Sequence, residues 1–455
     1  MAWRPKKVVA MSAGSSGTDP DLTLVFYHGI CYEPDIMNYH IIQQQAGRLN
    51  GWLLAVMACV LPLSTSALSV LALLILLVWL VEGGYRQKLR TITANPVALA
   101  VLGYLSLYVI GLLWTQDLAS GLGVLNKYWK LMLLPVFLTA VRWDLRRVYA
   151  GFFVAGMTIV MGMTYMAWFD VLHYADVTRE HLTPGTFHVI YNPLLAFAIY
   201  LLSHELLWGK LRGAVRWSLG GLACLMIVNM FITEGRIGQV VFFVLMALLF
   251  LQILRRHILR AALILIFLLP AVFAAGYQFS PTFHERVDQA CSEVRQFQTD
   301  PNTSVGLRLL FWQNSWEIIK KNPWLGVGTG DFPSAYAEVN ARKSPQMVAT
   351  DNPHNQYVLV LCQLGLLGLV GLLGVFGVQI RQALVSGDAP SVAGAGDGTG
   401  ATGWERVRLA FPLFFLTIMF TESYLIIAET GFFFSLGSAV LYARKVAPKA
   451  LVQEP

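Results

Sequence analysis

The stretch Trp217–Leu254 reads WSLGGLACLMIVNMFITEGRIGQVVFFVLMALLFLQIL. Two apolar runs, 217–233 and 237–254, meet at the polar turn Thr233-Glu234-Gly235-Arg236. Each run comes close to the ~20 residues that a helix needs to cross the hydrocarbon of a bilayer. Lys210, Arg212 and Arg216 precede the first run, and Arg255, Arg256 and Arg260 follow the second. Because Lys and Arg gather on the cytoplasmic side of membrane helices, the two outer ends are cytoplasmic and the turn faces the other way. The stretch therefore predicts a hairpin of two spanning helices.

The same pattern extends in both directions. The chain is 56% hydrophobic and only 13% charged, against roughly 25% charged in a soluble domain. Apolar runs at 50–64, 66–82, 96–113, 119–140, 148–168, 186–207, 217–233, 237–254, 258–277, 355–380, 405–422 and 425–443 predict an all-α polytopic membrane protein of about twelve spans. The first pair forms a short hairpin at Pro62-Leu63-Ser64. Basic residues follow every second span: Arg86, Lys88 and Arg90, then Arg142, Arg146 and Arg147, the two clusters already named, Arg381 with Arg406 and Arg408, and finally Arg444, Lys445 and Lys449. With Arg4, Lys6, Lys7 and Arg48 ahead of the first span, both termini are expected in the cytoplasm. The organisation read from this is a cytoplasmic tail 1–48, spans 1–9 within 49–277, an outer loop or cap 278–353, span 10 at 354–383, a flexible Gly/Ala/Ser/Thr-rich cytoplasmic linker 384–404, spans 11 and 12 at 405–445, and a tail 446–455. The segment Leu22–Phe26 is too short for the apolar core of a secretory signal. A loop as long as Gln278–Pro353 is uncommon without a role, and it is the natural place for a folded cap over a site at the membrane surface.

Other classes fall away. The net charge of +7 comes from small clusters beside apolar runs, not from a basic stripe interleaved with aromatics, which excludes nucleic acid as a partner. Five cysteines are widely separated and form no C-x-x-C, and no P-loop, G-x-S-x-G or H-E-x-x-H pattern occurs.

Outside the long loop, the cations that break the charge bias are Lys127, Lys130, Arg179 and Arg236. Arg236 reads either as a snorkelling side chain paired with Glu234 or as a fixed cation for an anion at headgroup level. Arg308 flanks the apolar face of a helix suggested by Gly306–Lys321, as a solvated arginine or a second anion ligand. His354 lies in Asp351-Asn352-Pro353-His354-Asn355-Gln356-Tyr357, just before span 10. Asn352 as N-cap and Pro353 at the first helical position would put His354 in the first turn. There the helix end disfavours imidazolium and attracts anions. Asp170 and Asp176 have no obvious third partner, and Asp19-Pro20-Asp21 sits in the tail. Glu422 and Glu429 flank the last outer turn, placed to pair with exposed cations.

Four segments together resemble the O-antigen ligase and polymerase family of bacterial envelope glycosyltransferases. Thr233-Glu234-Gly235-Arg236 with Gly238 is similar to that family's S-R-G turn, with Gly ahead of the Arg. Arg308 through Trp316 to Asn322-Pro323-Trp324-Leu325-Gly326-Val327-Gly328 resembles R-x(7)-W…P-x-x-G-x-G. Pro353-His354-Asn355-Gln356-Tyr357 followed by Gln363-Leu364-Gly365-Leu366-Leu367-Gly368 resembles H-N-x-Y-L…E-x-G-x-x-G, with Gln363 where the family often has an acid. Thr421-Glu422-Ser423 is similar to the late T-E-S element. The resemblance implies a GT-C-like fold in the bacterial inner membrane, with an active site on the periplasmic face. It further implies a metal-independent, cofactor-free, inverting transfer of O-antigen polysaccharide from undecaprenyl pyrophosphate to a sugar hydroxyl of lipid A-core in lipopolysaccharide assembly. In that scheme His354 is the base, and Arg236 and Arg308 bind the pyrophosphate. Asn355, Lys127, Lys130 and Glu422 support them. Two alternatives stay open: an O-antigen polymerase of the same family, and a lipid-glycan transporter or flippase, for which Lys127 and Lys130 inside span 4 are the best argument.

Overall fold

In the computed structural model, residues 34–172, 177–178, 181–183, 187–385 and 404–443 are described, and their regular structure is helical. The chain divides into two compact units, Met1–Ile42 and Gln43–Pro455, and of the first only the start of one helix, from Pro34, is described. The expected tail up to residue 33, the linker 386–403, the residues from 444 onward, Asp176 and Arg179 lie outside the described residues.

The helices in chain order are α1 (Pro34–Val60), α2 (Thr65–Glu82), α3 (Tyr85–Thr93), α4 (Pro96–Gly111), α5 (Leu118–Met132), α6 (Leu134–Ala140), α7 (Arg146–Trp168), α8 (His188–Trp208), α9 (Gly213–Ile232), α10 (Arg236–Ile253), α11 (Ile258–Phe279), α12 (Pro281–Gln296), α13 (Ser304–Lys321), α14 (Phe332–Lys343), α15 (Gln356–Val385), α16 (Trp404–Ile418) and α17 (Ala428–Tyr442). Eight of them (α2, α4, α7 to α11 and α15) are long and apolar enough to cross a membrane. The lipid-facing character is plain on α2 and α11, whose Leu73, Leu77, Leu259, Leu263 and Phe267 stand exposed. An apolar surface of this extent needs a bilayer to cover it.

Of the other four expected spans, the first (50–64) lies mostly in the 27-residue α1, and three fall on shorter or interrupted elements. The run 119–140 is split into α5 and α6 at Leu133, because Pro135 can neither donate to the ladder nor tolerate the preceding carbonyl. The 15 residues of α16 and of α17 reach only about 22 Å at the helical rise, short of a ~30 Å hydrocarbon core. These two are sheathed by their neighbours, and α17 is buried along nearly its whole length. Phe197 of α8, Phe411, Phe414 and Phe415 of α16 and Phe433 and Phe434 of α17 pack edge to face, as in the 5.1 Å, 88° contact of Phe415 with Phe434. In lipid no hydrophobic gain drives helices together, so close packing and such aromatic pairs, about 0.5–1.5 kcal/mol each, hold this centre.

The stretch 278–353 folds into α12, α13 and α14, which cover one face of the bundle; this is called the cap face below. The sequence anticipates α13, which is capped by Thr303, but shows neither α12 nor α14. A small core of Phe311, Ile318, Phe332, Tyr336 and Val339 joins the cap to Leu359 and Cys362 of α15.

The glycine-rich segment after α13 is fitted to a break in α15. Gly365, at φ 60°, interrupts α15, and Gly326, at φ 68°, faces it. Their backbones exchange hydrogen bonds: Val327 N to Cys362 O at 2.8 Å, Gly328 N to Gln363 O at 2.9 Å and Leu366 N to Pro323 O at 2.8 Å. A Cβ on Gly326 would sit 2.5 Å from Leu364 N, and one on Gly365 2.6 Å from Leu325 N. Both the left-handed φ and the backbone contact demand glycine. The two glycine motifs quoted from the sequence are thus halves of one joint that fastens the cap to the bundle.

Candidate functional site

The turn between α9 and α10 opens on the cap face. Gly238 lets α10 pack directly on α8, since a Cβ there would lie 2.5 Å from the backbone carbonyl carbon of Asn192. Thr233 Oγ1 donates to buried Asn192 Oδ1 at 3.0 Å and fixes the turn from the other side. Arg236 becomes the first residue of α10, with Gly235 at the N-cap. It is not paired with Glu234. Its Nη2 donates to Gln289 Oε1 of α12 at 3.0 Å and lies 3.6 Å from Glu293, a carboxylate only 4% exposed. Glu234 turns instead to Arg286 of α12, at 2.6 Å, and to His181 Nδ1, at 3.0 Å.

These groups border a cleft of about 360 Å³ lined by Arg236, Arg286, Arg308, Glu234, Trp312 and Thr421, among others. Arg308 projects from the first half of α13. Its Nη1 turns back to Ser304, and its Nε is buried without a hydrogen-bond partner. The cleft therefore carries three guanidinium groups, and Arg286 was not anticipated. Its sequence signal is the 286, 289, 293 spacing, which puts Arg286, Gln289 and Glu293 on one side of α12. That spacing has meaning only once α12 is known to be a helix.

His354 lies at the edge of this cleft. It does not occupy the first turn of α15; it precedes the helix in a left-handed conformation, φ 51°. The N-cap is Asn355, whose Oδ1 accepts from Tyr357 N at 2.9 Å and Val358 N at 3.1 Å while its Nδ2 donates to Phe420 O. Asn352 stands too far ahead to cap the helix, and holds His354 instead by accepting its backbone N–H at 3.1 Å. A non-glycine residue in this conformation costs on the order of 1–2 kcal/mol, which the flanking asparagine bonds offset.

The ring is then aimed at one partner. His354 Nδ1 lies 2.5 Å from Glu422 Oε2. Phe311 of α13 stacks on the imidazole at 6.0 Å, and Trp312 Nε1 donates to Pro353 O at 3.0 Å. Trp312 and Thr421 both line the arginine cleft and adjoin the two halves of the His–Glu pair. Glu422 is nearly buried. Burial alone would raise its pKa, but the hydrogen bond and positive charge of His354, the Ser423 amide and the Asn352 amide outweigh it and hold the carboxyl below its ordinary value. An ionised carboxylate only accepts, so in the neutral form of the ring the proton sits on Nδ1 and Nε2 is the nitrogen with the lone pair.

The segment 419–427 that presents Glu422 is unwound and clamped. Gln356 N donates to Met419 O at 2.9 Å, its side-chain oxygen accepts Leu425 N at 3.2 Å, and its amide donates to Tyr128 OH at 3.0 Å. Lys130, buried on α5, donates to Ile426 O at 3.0 Å and is the cation acting on Glu429. Lys127 is exposed on the same helix, and neither lysine lines the arginine cleft. The structure thus brings together Arg236, Arg308, His354 and Glu422, places Asn355 as a helix cap, and leaves both lysines out of the arginine cleft.

What fold and site define together is a polytopic membrane protein whose capped face carries a cationic cleft beside a histidine–glutamate pair. Residues 221–373, about a third of the chain, match the sequence model of the family described as O-antigen ligase. The matched region holds Arg236, Arg286, Arg308 and His354, while Glu422 lies beyond it. No curated protein matches the chain.

Proposed function

We propose that the chain is an inverting glycosyltransferase that moves a lipid-pyrophosphate-linked polysaccharide onto a sugar hydroxyl, an O-antigen ligase acting on lipid A-core at the periplasmic face of the inner membrane. The observation that carries this reading is the His354–Glu422 pair set against a cleft of three arginines, with the arginines and His354, though not Glu422, inside the matched region. The acceptor oxygen attacks the anomeric carbon, and the bond from that carbon to the phosphate oxygen breaks. The lipid pyrophosphate leaves with the electron pair. Arg236 and Arg308 neutralise the charge gathering on it, since guanidinium stays protonated and binds phosphate through two parallel N–H bonds. The hydroxyl proton passes to His354 Nε2, and Glu422 stabilises the imidazolium that results. Attack opposite the leaving group inverts the centre. The charge alternation read from the sequence supports this placement, because it puts the arginine cleft on the side away from the cytoplasm.

The test is a reconstitution of purified protein with lipid-linked O-polysaccharide and lipid A-core, followed on a gel. The expected result is a ladder moved onto lipid A-core, reduced by about 10²- to 10⁴-fold in His354→Ala, the usual worth of a general base. Glycan that lengthens on its own lipid carrier makes the protein a polymerase. Absence of transfer in any form, with folded protein, refutes the enzyme reading in favour of transport.

A further inference from the structure

Arg286 is the guanidinium that neither the resemblance nor the proposed mechanism uses, and its setting differs from that of the other two. It lines both the arginine cleft and a second, larger cavity of about 1040 Å³. That cavity is walled mainly by apolar side chains of α9 and α11, among them Ile227, Val228, Phe231 and Phe279. Of all the residues named here, only Glu234, Arg286 and Gln289 border both spaces. They mark the place where a polar chamber meets an apolar one.

At that junction the charges are arranged as substitutes for an anion. Gln289 Oε1 accepts from Arg286 Nη1 at 3.2 Å and from Arg236 Nη2 at 3.0 Å, so one oxygen is shared by two guanidinium groups. This is the geometry a bridging phosphate oxygen would take. Arg286 Nη2 is held by Glu234 Oε1 at 2.6 Å, and Glu234 is itself contacted by His181. Arg236 leans on Glu293, whose Oε1 is buried with no hydrogen-bond partner, an incomplete pairing. Two carboxylates against three guanidiniums leave the cleft net cationic.

We propose that Arg286 is a third pyrophosphate-binding residue, docked on Glu234 until the lipid pyrophosphate arrives with its chain in the apolar cavity, whereupon the phosphate displaces the carboxylate. This rests on the reading above of a lipid-pyrophosphate donor. Glu234 is then a competitor for Arg286, and its removal helps the anion to bind. If the pair were only a structural latch between α12 and the turn, removing either partner would loosen the site and weaken binding.

The experiment is a calorimetric titration of the purified full chain in detergent with farnesyl pyrophosphate, with inorganic pyrophosphate in parallel. Arg286→Gln is expected to weaken farnesyl pyrophosphate binding by roughly tenfold or more, the worth of a charge-assisted contact. Glu234→Gln is expected to tighten it severalfold. Gln289→Glu, which sets a permanent anion between Arg286 and Arg236, is expected to weaken it. Weakening by both Arg286→Gln and Glu234→Gln, or no change in either, overturns the proposal. A prenyl ester that binds no tighter than the inorganic ion overturns the placement at the junction. The donor reading has its own arm: if Arg236→Gln and Arg308→Gln also leave binding unchanged, the cleft is no pyrophosphate site at all. If those two weaken binding and Arg286→Gln does not, only the role of Arg286 falls.

Discussion

Replacing Glu422 by Gln tests the chemistry of the site with almost no change of shape, and the hydrogen bonds fix what must follow. Glu422 Oε1 accepts from Asn352 Nδ2 at 2.7 Å and from Ser423 N at 2.8 Å, while Oε2 faces His354 Nδ1. A glutamine must set its oxygen against the two fixed donors, which turns its NH₂ group toward Nδ1. His354 can meet that donor only by accepting at Nδ1, and the ring proton then moves to Nε2. The nitrogen proposed as base becomes a donor. The expected loss is therefore most of the value of the base, about 10²- to 10⁴-fold in transfer rate, and not just the ~1.5–3 kcal/mol of a single charged hydrogen bond. Reconstituted transfer from lipid-linked polysaccharide to lipid A-core is the assay, with thermal unfolding as the check on folding. A second substitution tests the tautomer argument directly. Asn352→Asp in the Glu422→Gln background turns one of the two opposing donors into an acceptor, lets the glutamine reverse, and is expected to restore part of the rate. A folded Glu422→Gln protein transferring at the wild-type rate would falsify the assignment of Glu422 as the group that orients His354.

Other perturbations carry distinct signatures. Arg308→Lys keeps the charge but loses the planar fork, so the donor KM is expected to rise by roughly tenfold with a smaller change in kcat. Gly326→Ala forces a Cβ to 2.5 Å from Leu364 N at a left-handed φ; strain of ~1–2 kcal/mol plus overpacking of ~1–3 kcal/mol should appear as a marked drop in Tm. The pH dependence follows from Glu422. Its folded pKa is depressed, so its stabilisation is complete above the unfolded value near 4.3 and fades as the pH falls through the lower folded value. Unfolding followed between pH 7 and pH 3 should show this acid loss in wild type, and Glu422→Gln should lack that component.

How far the sequence could be read depended on the length scale of each signal. The spans α7 to α11 and α15 announce themselves because an apolar run of membrane length has few alternative meanings. The ends of α16 and α17 were hidden for a physical reason. Their apolar runs continue through 419–427, and what stops the helices is not in those residues. Gln356 and Lys130 reach in from α15 and α5 and take the backbone groups that a helix would have used. In the same way Asn352 looks like a cap by position, yet the capping oxygen belongs to Asn355, because Asn352 is engaged with Glu422 and Ser423. Arg236, Arg308 and His354 stood out as charges in unusual places. Arg286 did not, since a cation in a hydrophilic loop is ordinary until α12 turns it toward the cleft.

The motifs that carried the resemblance divide by what their residues touch. Gly326 and Gly365 meet backbone at their closest approach, and they fix where the cap stands over the bundle. Gly238 and Thr233 touch Asn192 and fix where α10 begins. Arg236, Arg308 and His354 are delivered by those joints to one edge of one cleft, from three elements far apart in the chain. A cap tied at Gly365 and at Arg236–Glu293 can shift only as a body, since α12 to α14 share a core with α15 or pair with the α9–α10 turn. Arg286 and Arg308 stand on that cap, and its Phe311 stacks on His354. A substitution in the glycine joint should therefore disturb donor binding and proton transfer together, whereas one at Glu234 should change donor binding alone. That contrast separates the scaffold from the chemistry without appeal to the family at all.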